Sequence, residues 1–190
     1  SGKLDGINVT IPHKENIIEF VDEVNVRCNS IGSINCVIRS NSKTIGNNTD
    51  WYGFVRSLKI NQIDIYGKEI VVIGSGATGK SILFSLKHLG ANKILLFNRT
   101  LRKAEKLQDD IIYPHPLDQI SNFIKSDSII INTTSIGMNT KESPLTIDIM
   151  HQNQTIIDVI YNPNETPMLK LGNEVGAKTL NGMDMFIVQG

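Results

Sequence analysis

The pattern of apolar and polar positions changes texture near Glu69. Ahead of it the runs are short. Ile7-Asn8-Val9-Thr10-Ile11 alternates like a strand over residues 7–11, and Pro12, which cannot donate to a ladder, ends it. Lys14 then falls on a strand-to-helix turn, because residues 15–26 place Ile17, Ile18, Val21 and Val24 on one helical stripe. Residues 34–38 and 43–45 flank Ser40-Asn41-Ser42 and predict a hairpin that leads through Gly46-Asn47-Asn48-Thr49 to Asp50. A helix is expected next, over 51–58, and the Asp50 carboxylate is placed to N-cap it.

Residues 61–68 are polar and read as a connection. Beyond them, β-branched runs at 70–73, 93–98, 128–131 and 155–160 alternate with helical segments at 80–89 and 101–108. That alternation indicates parallel strands covered on both faces. The expected class is α/β: a Rossmann-type, doubly wound parallel sheet over 51–180, plus an incomplete α/β catalytic domain over 1–50 to which 181–190 returns.

The run Val71-Val72-Ile73-Gly74-Ser75-Gly76-Ala77-Thr78-Gly79-Lys80-Ser81 fits two phosphate-binding patterns. As G-x-G-x-x-G, its glycines serve in turn the tight turn, the approach of a pyrophosphate, and the packing of helix on strand. As G-x-x-x-x-G-K-S it is a P-loop, with Lys80 on phosphates, Ser81 on magnesium, and Ile156-Ile157-Asp158 imitating a magnesium-holding strand. The next strand favours the first pattern. Arg99, after the strand at 93–98, stands at the interval where a dinucleotide fold inspects the adenosine ribose, and an arginine there pairs with the 2′-phosphate of NADP, with Lys103 assisting. Lys14 and Asp50, on two polar loops ahead of such a fold, suggest proton transfer coupled to hydride transfer, the chemistry of a dehydrogenase.

Composition narrows the classes further. Nineteen basic residues balance nineteen acidic ones, so no net field favours nucleic acid or an anionic membrane. The apolar runs are far below the ~20 residues of a membrane span. Cys28 and Cys36 form no framework or zinc pattern, and the histidines lack metal spacing, so no metal is expected. A cytoplasmic protein with buried or half-buried thiols is the plain reading.

Taken in order, the block from Asn8 to Lys14, Ile31-Gly32-Ser33-Ile34-Asn35, Gly46-Asn47-Asn48-Thr49-Asp50, the glycine loop, Asn98-Arg99-Thr100, Asn132-Thr133-Thr134-Ser135-Ile136-Gly137-Met138, Asp158-Val159-Ile160-Tyr161-Asn162-Pro163, and Asn181-Gly182-Met183-Asp184-Met185 to Gln189 resemble the shikimate dehydrogenase family. The resemblance implies NADP-dependent interconversion of 3-dehydroshikimate and shikimate in aromatic amino acid biosynthesis, by a monomer or homodimer. It implies Lys14 and Asp50 as the catalytic pair, and a substrate held by Thr10, Lys14, Asn35, Asp50, Tyr161 and Gln189. For the cofactor it implies Gly74, Ser75, Gly76, Ala77, Thr78 and Gly79 at the pyrophosphate and Asn98, Arg99, Thr100 and Lys103 at the adenosine phosphate. Thr133, Thr134, Ser135, Val159, Gly182 and Met185 would lie along the nicotinamide half. Quinate as substrate, or NAD as cofactor, is the close alternative.

Two departures bear on these expectations. The family's loop runs closer to G-A-G-G-A-[AS]-[RK]-[AG], so the glycine at position 79 is displaced from the usual pattern. The family's S-x-S block, whose hydroxyls grip the substrate carboxylate, has no counterpart in the sequence, and neither does its closing helix. The stretch is therefore expected to be a truncated piece of a longer enzyme that binds NADP and turns over poorly by itself.

Overall fold

The computed structural model describes residues 4–189. The described residues form two sheets joined by two helices. The first sheet holds β1 (Gly6–Asn8), β2 (Glu23–Val24), β3 (Cys36–Ser40) and β4 (Lys43–Asn47) in the order β1-β3-β4-β2. β3 and β4 are the hairpin. Asn41 and Ser42 at its tip both take positive φ, 47° and 67°, the turn whose twist matches that of the strands.

Residues 15–26 do not form one helix. A 3-10 turn covers Asn16–Phe20, β2 then pairs parallel with β4, and α1 (Val26–Ile31) starts after Asn25. Two local groups divide the segment. The Asp22 carboxylate accepts from Thr44 N at 2.7 Å and from Thr44 Oγ1 at 2.8 Å, holding the chain extended against β4. The Asn25 side chain accepts from Arg27 N at 3.0 Å and caps the next helix. Ile17, Ile18, Val21 and Val24 still reach the small core of Val9, Cys28, Ile34 and Val37, so the stripe has the predicted face on a different backbone. The strand expected over 7–11 is shorter as well. After Val9 N bonds Asn35 O at 2.7 Å the chain leaves the ladder and His13 N closes a turn on Thr10 O.

The second sheet is entirely parallel: β5 (Glu69–Ile73), β6 (Lys93–Asn98), β7 (Ile112–Pro116), β8 (Ile129–Asn132), β9 (Thr155–Asp158) and β10 (Lys178–Leu180), ordered β10-β9-β8-β5-β6-β7. Between them run α3 (Ala77–His88), α4 (Leu101–Glu105) and α5 (Pro167–Glu174). The alternation of side chains fills both faces. Ile70, Val72, Ile94, Leu96 and Ile131 meet Ile82 and Leu86 of α3 on one side, while Val71, Ile73, Leu95, Phe97 and Ile130 meet Met168 and Leu169 of α5 on the other. Each fully buried side chain of this size contributes roughly 1.5–3 kcal/mol. The chain turns back on itself between β5 and β8, which opens a crevice at the carboxyl ends of those strands.

α2 (Asp50–Ile60) carries the chain out of the first sheet, and α6 (Met183–Gln189) lies against it on the way back. A Cβ on Gly53 would stand 2.7 Å from Met185 O and 3.2 Å from Gln189 Cβ, so the helices touch at backbone distance. Among the described residues no helix is long and apolar enough to cross a membrane.

Candidate active site

Lys14 and Asp50 meet. The ammonium lies 2.6 Å from Asp50 Oδ2, with Lys14 9% exposed and Asp50 fully buried. The other carboxylate oxygen accepts from Asn35 Nδ2 at 2.9 Å. Asn35 is itself held, because its Oδ1 accepts from Thr49 N at 2.8 Å. Asp50 does not cap α2. It is the first helical residue, its own N–H is satisfied by Asn48 Oδ1 at 3.0 Å, and this frees the carboxylate to face Lys14. A buried ion pair adds little to stability once desolvation is counted, and removing one partner costs about 3–5 kcal/mol.

The remaining substrate candidates are held in different ways. Thr10 is exposed on the turn that leads to Lys14. Gln189 ends α6 beside the site, where its backbone oxygen accepts from Thr49 Oγ1 at 2.8 Å. Its buried Oε1 is the one buried side-chain polar atom among the described residues without a partner. Tyr161 is partly exposed and stacks on Phe186 of α6, with ring centroids 4.1 Å apart.

The glycine turn divides its labour as the dinucleotide pattern requires. Gly74 has φ 106°, and a Cβ there would lie 2.6 Å from Thr133 Oγ1. A Cβ on Gly79 would lie 2.5 Å from Gly74 O, so α3 packs directly on the turn. A Cβ on Gly76 would meet nothing within 4 Å. That open face at a helix N-terminus is where an anion can approach free amides. The Thr133 hydroxyl braces the turn by donating to Ile73 O at 2.9 Å and Gly74 O at 3.1 Å. Ser75 is buried, and Ala77 and Thr78 open α3.

Arg99, Thr100 and Lys103 are exposed past the end of β6, with Asn98 Nδ2 donating to Thr100 O at 2.8 Å. Among the described residues neither Arg99 nor Lys103 has an acidic partner within ion-pair distance. Thr134 bonds Asn132 Oδ1 at 2.7 Å, and Ser135 is exposed just beyond. Gly182 backs onto Val159, where a Cβ would lie 2.0 Å from Val159 O. Met185 is buried in the core with Phe54 and Leu58.

The P-loop alternative fails on its own residues. Lys80 Nζ pairs with Glu15 Oε2 at 2.6 Å, and Ser81 is fully buried, 3.1 Å from Asn48 Nδ2. Asp158 is buried under α5, accepting from Thr166 Oγ1 at 2.8 Å and Ile160 N at 3.1 Å. Burial pushes its carboxyl up to about 6, against those hydrogen bonds. The thiols are quiet: burial pushes Cys28 up to about 11, and burial followed by the Asp50 charge raises Cys36.

Sequence reasoning passes over Glu15, Ser33 and Asn48 and gives Ser81 only a magnesium role in the P-loop pattern, whereas together they tie the Lys14 and Asp50 loops to α3. Ser33 Oγ donates to Ala77 O at 3.4 Å. For Ser33 and Asn48 the signal in the sequence is the density of small polar residues around positions 29–35 and 47–50.

A parallel six-stranded sheet that turns back between β5 and β8, with a glycine turn leading from β5 into a helix, defines a dinucleotide-binding α/β protein. The comparisons with known proteins place it more closely. Residues 57–170 match the family model for shikimate / quinate 5-dehydrogenase, and residues 1–37 match that for the shikimate dehydrogenase substrate binding domain. The chain belongs to the shikimate dehydrogenase family. It is 39% identical to the shikimate dehydrogenase (NADP(+)) of Caldicellulosiruptor bescii, over 97% of this chain and 66% of the relative. The crystal structure of shikimate dehydrogenase from Aquifex aeolicus superposes with a TM-score of 0.86 at 37% identity, covering 98% of this chain and 69% of that one. The Thermus thermophilus enzyme in complex with NADP(H) and shikimate gives 0.87 at 27% identity, covering 99% of this chain and 70% of that one. The chain thus spans about two thirds of the length of the relatives it matches.

Proposed function

We propose that this chain carries the cofactor site and the catalytic pair of an NADP-dependent oxidoreductase that interconverts 3-dehydroshikimate and shikimate. Residues 1–50 with 181–190 form the substrate half, and 51–180 the cofactor half. The observation that carries the reading is the buried Lys14–Asp50 pair at 2.6 Å, closed by Asn35. The names of the relatives, and the NADP(H) and shikimate bound by the Thermus protein, agree with it.

In its reduced form, NADPH, the cofactor would supply the hydride. The open face of Gly76 and the amides opening α3 would hold its pyrophosphate, and Arg99 with Lys103 the 2′-phosphate. Lys14 holds a proton at Nζ and presents it to the ketone oxygen on the ring, where negative charge grows as the carbonyl is reduced. Asp50 orients the ammonium, and Asn35 fixes Asp50. Thr10, Tyr161 and Gln189 would hold the ring hydroxyls, with Gln189 Oε1 an acceptor that has no protein partner.

The test is the loss of NADPH absorbance on adding 3-dehydroshikimate to the full-length protein, repeated with NADH and, in the oxidative direction, with quinate. Turnover with NADPH and 3-dehydroshikimate is expected to exceed every other combination. Equal or faster turnover with quinate or NADH would assign the substrate or the cofactor differently.

A further inference from the structure

Each member of the catalytic pair stands within two residues of a side chain that crosses to α3, and the crossings land on successive residues. Glu15, next to Lys14, accepts from Lys80 Nζ at 2.6 Å. Asn48, two before Asp50, meets Ser81 Oγ at 3.1 Å through Nδ2, while its Oδ1 accepts from Asp50 N at 3.0 Å.

We propose that Lys80 and Ser81 are positioning residues: they transmit the placement of the first turn of α3, set by the bound dinucleotide, to Lys14 through Glu15 and to Asp50 through Asn48. This rests on the function proposed above.

Neither crossing is needed to satisfy the groups that make it. Asn48 Nδ2 already donates to Ser33 O and Ser33 Oγ, both at 3.0 Å, and Ser81 Oγ already reaches Ala77 O within its own helix at 3.3 Å. The Lys80–Glu15 pair is partly exposed, with side chains 20% and 44% accessible, a setting in which an ion pair adds little stability. Stability therefore does not account for them. What they fix is the register between the turn that receives the pyrophosphate and the loops that carry the proton and its orienting carboxylate. Register of that kind governs rate, since a misplacement of about 1 Å can cost ~100-fold.

The test is a set of variants of the full-length enzyme, Ser81→Ala, Glu15→Gln, Lys80→Met and the double Glu15→Gln/Lys80→Met, measured for melting temperature, NADPH Kd, KM for shikimate and kcat. Ser81→Ala is expected to keep its melting temperature and its NADPH Kd within about twofold while kcat falls about tenfold. Glu15→Gln and Lys80→Met should each lower kcat, and the double variant should be no worse than the poorer single, as for two ends of one contact. A Ser81→Ala enzyme that loses melting temperature but keeps kcat would overturn the proposal. So would a Lys80→Met effect confined to NADPH affinity with Glu15→Gln silent, which would make Lys80 a phosphate ligand. A parent enzyme that binds NADPH but does not act on shikimate overturns the functional reading itself, which is a separate result.

Discussion

Alanine at Gly76 and at Gly79 should have opposite consequences, although the two glycines sit three positions apart, at the cap and in the first turn of α3. Gly76 has φ −78° and ψ −174°, ordinary extended backbone, and its Cβ direction is empty to 4 Å. Alanine fits there without strain and removes freedom from the unfolded chain, a gain of about 0.4–1 kcal/mol. At Gly79 the added carbon would stand 2.5 Å from Gly74 O and 3.0 Å from Thr133 Oγ1. The first is backbone and the second is pinned to the same turn, so neither can yield cheaply. Overpacking of this kind costs about 1–3 kcal/mol, offset by up to about 1 kcal/mol from alanine's better helix propensity. In a chain of this size 1 kcal/mol moves the melting temperature by about 2–4 °C. Gly79→Ala should therefore melt several degrees lower, and Gly76→Ala at or slightly above the parent. NADPH affinity should separate them the other way, because the new methyl at position 76 occupies the approach to the amides. A loss of ~10- to 100-fold in Kd, about 1.4–2.8 kcal/mol, is expected there. Thermal unfolding followed by circular dichroism, with Kd from NADPH fluorescence titration, reads both effects without relying on turnover. A Gly76→Ala protein that binds NADPH within threefold of the parent would refute the assignment of that open face to the pyrophosphate.

Four further variants can be checked. Lys14→Met should abolish shikimate oxidation to the limit of a steady-state assay while NADPH Kd stays within twofold, and Asp50→Ala, which leaves a buried ammonium unpaired, should in addition lower stability by about 3–5 kcal/mol in denaturant titration. Arg99→Ala should weaken NADPH far more than NADH; equal loss for both would remove Arg99 from the 2′-phosphate. Asp158 predicts a pH dependence. Its carboxyl titrates near 3.8 unfolded and about 6 folded, so the folded state binds the proton more tightly, and stability present below pH 3.8 is lost as pH rises through about 6. The span is up to about 3 kcal/mol at roughly 1.4 kcal/mol per unit, and Asp158→Asn should flatten it and raise stability at pH 7. An unchanged slope of stability against pH in that variant would show that other groups set it.

The parallel sheet is legible because its central strands are continuous apolar runs. β7 escapes the pattern because Pro114 and Pro116 demote a strand, and it lies at the sheet edge, where proline is tolerated. β10, three residues at the other edge, carries too little pattern to be seen. α5 does have a local signal in Thr166-Pro167, a cap with proline in the first turn, but its eight residues give that signal little periodicity to support it. The false helix over 15–26 arises because Ile17, Ile18, Val21 and Val24 satisfy a helical period while Asp22 and Asn25 bind backbone groups that interrupt it. In the site, Lys14 and Asp50 are visible from residue type and loop position. Asn48, Ser33 and Ser81 are not, since bonds between residues more than thirty positions apart leave no local periodicity.

α2 and α6 lie flush: Thr49 Oγ1 bonds Gln189 O at one end, and Asn61 Nδ2 bonds Asp184 Oδ2 at 2.7 Å toward the other. Two contacts at opposite ends fix how far one helix can slide along the other. Asp50 begins α2 directly after the Thr49 contact, so its carboxylate starts from a point pinned by the last turn of a helix more than a hundred residues away in sequence.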